Sequence, residues 1–323
     1  MAEHEELGEG FEAKLIFPER VPQPSCHAAT VTELPNGDLY AAWYAGSREM
    51  GRDVAIYAAR LPVGARDWSF PEEIASTPGL SEGNPVLFQE PNGPLWLYFV
   101  TIHGLHWRDA VLKRQCSEDG GRTWSPPRML PASPGIMIRS KMHVLRSGEW
   151  LLPLYDEAQW TSMVWITADR GDTWTQHGHL RAPEGVIQPA LAYRTDGSLL
   201  ALLRPGGKGS HLWRSVSTDE GRTWSATAPT EEPNPNSGLD VVALRSGALL
   251  LANNPSRTAR TPLTLSLSTD GGQQWRTVAT IEPGRGEYSY PYLIRASDGT
   301  IHLLYTYLRT SIKHVSVKEE TLR

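Results

Sequence analysis

Cysteine is nearly absent, with Cys26 and Cys116 the two thiols in 323 residues. Two cysteines build no disulfide framework, and a pair of reduced, buried thiols is expected. Metal-ligand spacing is missing too. There is no Cys pair and no His-Glu-x-x-His sequence, and the gap between His103 and His106 does not place both on one face of a strand, so no metal site is expected. No apolar stretch approaches the roughly 18 residues of a membrane span, so no membrane partner is expected. The N-terminal MAEHEELGEGFEAKL is acidic and lacks a basic patch followed by an apolar core. It reads as no secretory signal and suggests a soluble, cytoplasmic protein, although a secreted chain trimmed of its signal reads the same way. Basic excess is also lacking: the net charge is −5 and like charges never cluster, which speaks against a nucleic-acid partner. Coiled-coil heptads and phosphate-cradling glycine loops are absent, and no cofactor is expected.

What the chain does have is turns and large aromatics: 12 Trp, 29 Gly and 25 Pro, in an otherwise ordinary globular composition of 40% hydrophobic and 21% charged residues. Four segments repeat one pattern: Ser117-Glu-Asp-Gly-Gly-Arg-Thr-Trp124, Thr167-Ala-Asp-Arg-Gly-Asp-Thr-Trp174, Ser217-Thr-Asp-Glu-Gly-Arg-Thr-Trp224 and Ser268-Thr-Asp-Gly-Gly-Gln-Gln-Trp275. A worn fifth copy, Gly64-Ala-Arg-Asp-Trp68, precedes them, and the tryptophans fall 56, 50, 50 and 51 residues apart. Ser or Thr and Asp tie a tight turn to its own backbone, Gly takes the left-handed conformation, and Trp is an apolar peg between sheets. These residues build turns and are not expected to do chemistry.

A second repeat runs out of phase: apolar strand, glycine turn, apolar strand. Its six turn glycines are Gly37, Gly93, Gly148, Gly197, Gly247 and Gly299. Six hairpins and five Trp turns predict an all-β fold, a six-bladed β-propeller forming one domain over 1–323. The blades are expected at about 25–78, 79–132, 133–183, 184–232, 233–284 and 285–318, with the N-terminal run 13–17 as the strand that closes the ring.

The first strand of each blade lines the axis of a propeller, so its opening residues look into a central cup. Nine residues before the turn glycine stand Asn84, Arg139, Gln188, Gly238 and Tyr290, and a blade-one turn one residue longer would bring His27 into the same ring. Buried polar groups are costly unless paired, so a ring of this kind points to a site or to a self-satisfied polar plug. Second strands return to the same end, carrying Arg48, Glu49 and Asp53; His103 and His106; Asp156 and Glu157; Arg204; Asn253, Asn254, Arg257 and Arg260; and Arg309. Convergent arginines suit an anionic sugar.

With these residues the chain resembles the sialidase (neuraminidase) superfamily, the BNR or Asp-box repeat propellers, over essentially its whole length. That resemblance implies three carboxylate-binding arginines, the first in an Arg-Ile-Pro motif opening blade one, a Tyr nucleophile activated by Glu, and an Asp acid/base. Asp53 resembles the acid/base, Arg204 the second arginine, Arg260 or its rival Arg257 the third, and Tyr290 the nucleophile. Two parts depart: PSCHAAT, with His27, stands in place of the Arg-Ile-Pro segment, and Gln188 in place of the activating Glu. Gln accepts no proton from tyrosine.

Three functions remain open. One is a hydrolase of an acidic glycan, with Asp53 as acid, Tyr290 as nucleophile or stabiliser, Arg204 and Arg260 as clamp, His27 as substitute base, and Asp156 or Glu157 in reserve. The second is a lyase at a glucuronate linkage, similar to propellers that cut rhamnose–glucuronate bonds, in which Arg139, Asn84 or Gln188 neutralises the carboxylate, His27 takes the C5 proton and Tyr290 protonates the leaving oxygen. The third is a glycan-binding propeller without chemistry. Each has an acidic oligosaccharide or glycoside as partner; oligomeric state is not readable.

Overall fold

The computed structural model describes residues 7–207 and 209–322, and it folds them into six antiparallel sheets set around one axis. Blade one is Ser25–Glu33, Leu39–Gly46, Ala55–Leu61 and Glu72–Ala75; blade two is Ser81–Gln89, Leu95–Ile102, Ala110–Ser117 and Arg128–Met129. In blade three the inner strand is broken into Ile136–Ile138 and His143–Val144, both paired with Trp150–Asp156, followed by Thr161–Thr167 and Thr175–Leu180. Blade four is Val186–Tyr193, Leu199–Pro205, His211–Ser217 and Ala228–Pro233; blade five is Asp240–Ala243, Leu249–Asn253, Leu263–Ser268 and Arg276–Glu282. Blade six takes Tyr288–Arg295, Thr300–Tyr307 and Ser311–Lys318, and its outer strand is the N-terminal Phe11–Leu15. The closing strand thus starts two residues before the expected 13–17. Past Leu15 the Ile16 amide still donates to the Ile312 carbonyl at 2.8 Å, and Ile16 and Phe17 are buried, Phe17 stacking on Trp43 with ring centroids 4.8 Å apart.

Blades are covered on both faces, so their second strands read as unbroken apolar runs rather than alternating ones; Leu199–Pro205 is buried throughout. Between neighbouring blades lie separate apolar clusters, for example Ala192, Leu200 and Leu202 against Val241, Leu249 and Leu251. The Trp turns behave as their composition requires. The hydroxyls of Ser117, Thr167, Ser217 and Ser268 donate to Asp119, Asp169, Asp219 and Asp270 at 2.6–2.8 Å and accept the amides of Gly121, Gly171, Gly221 and Gly272 at 2.7–2.9 Å. Cys26 and Cys116 are free.

All six hairpin turns have the same length, each closed by a bond from the turn glycine amide to the carbonyl three residues earlier, Leu34 in blade one. The longer blade-one turn expected from the sequence does not exist. Nine residues before Gly37 is Ala28, and the backbone agrees: Ala28, Asn84, Gln188 and Tyr290 share a left-handed φ of 46–57°, each at a β-bulge in its inner strand. Ala28 therefore holds the ring position and His27 lies one residue before it. Such bulges re-aim the side chain they carry.

Below this ring the axis is bridged. Lys141 Nζ, from blade three, donates to both carboxylate oxygens of Asp240 in blade five at 2.5 and 2.6 Å, and Asp240 also accepts the Leu293 amide of blade six at 2.7 Å. Asp240 is buried and Lys141 nearly so, and the ammonium lies 5.1 Å from the Tyr292 ring centroid.

Candidate active site

Tyr290 is the hub of the cup. Its φ of 54° and the bulge between Ser289 and Tyr292 turn its ring inward, where it is 8% exposed. Gly238 makes the room: a Cβ there would lie 3.1 Å from the Tyr290 ring and 3.4 Å from Gln188 Oε1. The phenol oxygen accepts Arg204 Nη1 at 2.6 Å and Gln188 Nε2 at 3.3 Å. The guanidinium carbons of Arg139, Arg204 and Arg260 lie 5.3, 5.6 and 5.5 Å from the ring centroid. Burial alone would raise this phenol's pKa; Arg204, Arg260 and the Gln188 bond outweigh it and bring the pKa below the ordinary value.

Asn84 and Gln188 both donate to Tyr155 Oη, at 3.1 and 3.4 Å, and Arg204 also bonds Gln188 Oε1 at 3.0 Å and Asn236 Oδ1 at 2.7 Å. Arg139 donates to the Tyr290 carbonyl at 2.9 Å, while its buried Nε has no partner. His27 flanks the hub, its ring 4.1 Å from that of Tyr290 and its Nδ1 2.8 Å from Thr306 Oγ1. Burial first, then the charges of Arg309, Arg260, Arg139 and Arg204, drive the imidazole pKa well below its usual value. It is neutral and a weak base.

Over residues 37–303 the chain matches the BNR repeat-like domain. It belongs to that family. Two sialidases are similar to this BNR propeller, one from Micromonospora viridifaciens, 26% identical over 87% of this chain and 50% of its own length, and one from Bacteroides fragilis, 22% identical over 88% and 59%. The chain thus spans half to three fifths of these curated relatives. The solved intramolecular trans-sialidase of Ruminococcus gnavus, in complex with oseltamivir carboxylate, superposes with a TM-score of 0.78 at 16% identity, covering 95% of this chain and 97% of that one. The BNR propeller is accordingly of the sialidase-like superfamily.

The second-strand loops of the BNR propeller divide. Arg260 faces Tyr290, whereas Arg257 is exposed in the same loop. Asp53 is exposed, and its carboxylate accepts the Ser47 hydroxyl at 2.8 Å and amide at 2.9 Å, hydrogen bonds that hold its pKa below the usual range. The same loop offers Glu49, which accepts Tyr44 Oη at 3.2 Å and Arg309 Nη1 at 2.7 Å and whose charge is felt by Tyr290; Arg48 beside it is exposed. Asp156 caps its turn by accepting the amides of Ala158 and Gln159. Glu157 instead lines a cleft of about 320 Å³ with Met50, Leu105, His106 and Trp107. Burial pushes its carboxyl up to about 7 against the pull of Arg204, with Asp156 adding to the rise. His103 is exposed in the neighbouring loop with His106. Asn253 and Asn254 are buried clasps, bonding Asn234 and Ser237. Glu287 has no place in the sequence analysis, yet it accepts both Arg260 at 2.9 Å and Arg309 at 2.6 Å; it lies before the blade-six inner strand, where no repeat marks it.

Proposed function

We propose that this BNR propeller is a glycosidase that removes an acidic sugar from a glycan, with Tyr290 as nucleophile. One observation carries the reading: the Tyr290 phenol oxygen sits 2.6 Å from Arg204 in a cup of arginines that favours its anion. In sialidases a Glu takes the tyrosine proton. Here Gln188 stands in that place, and the fields of Arg204 and Arg260 let the proton leave to water instead. The phenolate attacks the anomeric carbon, the glycosidic C–O bond breaks, and the departing oxygen takes a proton from a carboxyl. Glu157, protonated near neutrality and lining the adjacent cleft, suits that role better than Asp53. Water then releases the sugar from Tyr290. The sialidase relatives favour a sialic-type acid as substrate, and the arginines favour an acid in any case.

Binding without turnover is the second reading, and Gln188 favours it. In the lyase reading His27 takes the C5 proton, and its low basicity suits it poorly to that step. The test is a panel of methylumbelliferyl glycosides of sialic and uronic acids, followed by fluorescence and by absorbance of an unsaturated uronate. Fluorescence without that absorbance is expected, with Tyr290→Phe slower by about 100-fold or more. A fluorinated acidic glycoside should add its sugar mass to the wild type and not to Tyr290→Phe. Unsaturated product, or no turnover on any member, overturns the proposal.

A further inference from the structure

The blade-one segment that carries an arginine in sialidases is Pro24-Ser-Cys-His-Ala28 here, and His27 does not replace the missing charge because its imidazole is neutral. The cation acting most strongly on His27 comes from another blade. Arg309 sits in the three-residue turn between Thr300–Tyr307 and Ser311–Lys318 of blade six, and its carbonyl accepts the Cys26 amide at 2.9 Å. This stitches the turn to the opening of blade one's inner strand. We propose that Arg309 supplies, from blade six, the carboxylate-binding cation absent from blade one, and that Glu49 holds its place until an acidic sugar displaces it. The proposal rests on the acidic-sugar reading above.

Two observations support it besides position and the geometry of the turn. Leu308 and Arg309 take φ of 52° and 61°, the arrangement of a hairpin turn for which Asn and Gly are the economical residues. Arg170 and Glu220 take the same conformation in the Trp turns, so here it fixes the backbone from which Arg309 leaves the turn. Next, Glu287 Oε1 accepts both Arg309 Nε at 2.6 Å and Arg260 Nη1 at 2.9 Å, so one carboxylate sets two guanidiniums side by side. Finally, Arg309 Nη1 is occupied by Glu49 at 2.7 Å, and these side chains are 26% and 37% exposed, within reach of a ligand. Four guanidiniums, those of Arg139, Arg204, Arg260 and Arg309, share the cup with the ion-paired carboxylates of Glu49 and Glu287, which leaves positive charge for an acid to neutralise. A sugar carboxylate can take over the Glu49 bond without a new geometry.

The test compares binding of N-acetylneuraminic acid and glucuronic acid with their methyl esters, by calorimetry, in wild type and variants. Wild type should prefer an acid to its ester. Arg309→Asn should weaken the acid by about 10- to 100-fold, the scale of lost charge-assisted hydrogen bonds, and leave the ester unchanged. Its melting temperature should stay level or rise, because Asn suits the left-handed turn. Arg309→Lys should recover part of the preference, and Glu49→Gln should tighten the acid severalfold by vacating Arg309, a change opposite in sign to structural damage. Retention of acid preference by Arg309→Asn, or equal loss of acid and ester, overturns the role of Arg309 alone. A wild type that prefers no acid overturns the acidic-sugar reading and this inference with it.

Discussion

Two neighbouring carboxylates, Asp156 and Glu157, show how much a single residue's surroundings decide. Asp156 spends an oxygen on two turn amides, while Glu157 is half-buried beside apolar Trp107 and Met50 and is pushed up to about 7. A carboxyl with a raised folded-state pKa favours the fold fully below its unfolded value and loses that contribution as pH climbs through 7. Glu157→Gln should abolish this slope and, in denaturant melts at pH 8, exceed wild type by roughly 1–2 kcal/mol, with little difference at pH 4. If Glu157 is also the proton donor, the same variant should lose far more rate on poor leaving groups than on methylumbelliferyl glycosides. At this scale the sequence was legible for Tyr290, Gln188, Arg139 and Asn84, because a fixed nine-residue count finds them. It misled at His27, where an assumed extra turn residue shifted the register. Loop side chains obey no repeat, so the choice of Arg260 over Arg257, and the bridging by Glu287, needed coordinates.

At the scale of the element, the Trp turns were readable in full because each is a closed local circuit. Asp219 accepts the Ser217 hydroxyl, the Thr223 amide and the Thr223 hydroxyl at 2.6–2.8 Å. Asp219→Ala should leave the cup around Tyr290 intact while lowering the melting midpoint by roughly 2–6 °C, read by calorimetry. A loss of binding with no thermal change would argue that these turns do more than hold strands. The inner strands were less transparent. Their bulges at Ala28, Asn84, Gln188 and Tyr290 leave no mark in composition, since none is a glycine, and yet they decide which way the cup side chains point.

For the whole molecule, closure depends on the pairing of Phe11–Leu15 with Ser311–Lys318, in register from Phe11 opposite Val317 to Leu15 opposite Lys313. Removing residues through 17 should expose the outer edge of blade six, lower the melting midpoint by at least about 5 °C, and promote concentration-dependent association, measurable by light scattering. The hairpin period announced the ring and the number of its blades, while the place of the closing strand was offset because Ile16 and Phe17 look like strand and serve as core. The ion pair of Lys141 with Asp240, tied to the Leu293 amide, spans blades three, five and six beneath Tyr290. It ties those blades to one another across the axis. Three inner strands far apart in the chain are thereby pinned to one buried carboxylate, so the floor under Tyr290 cannot shift in one blade without the other two.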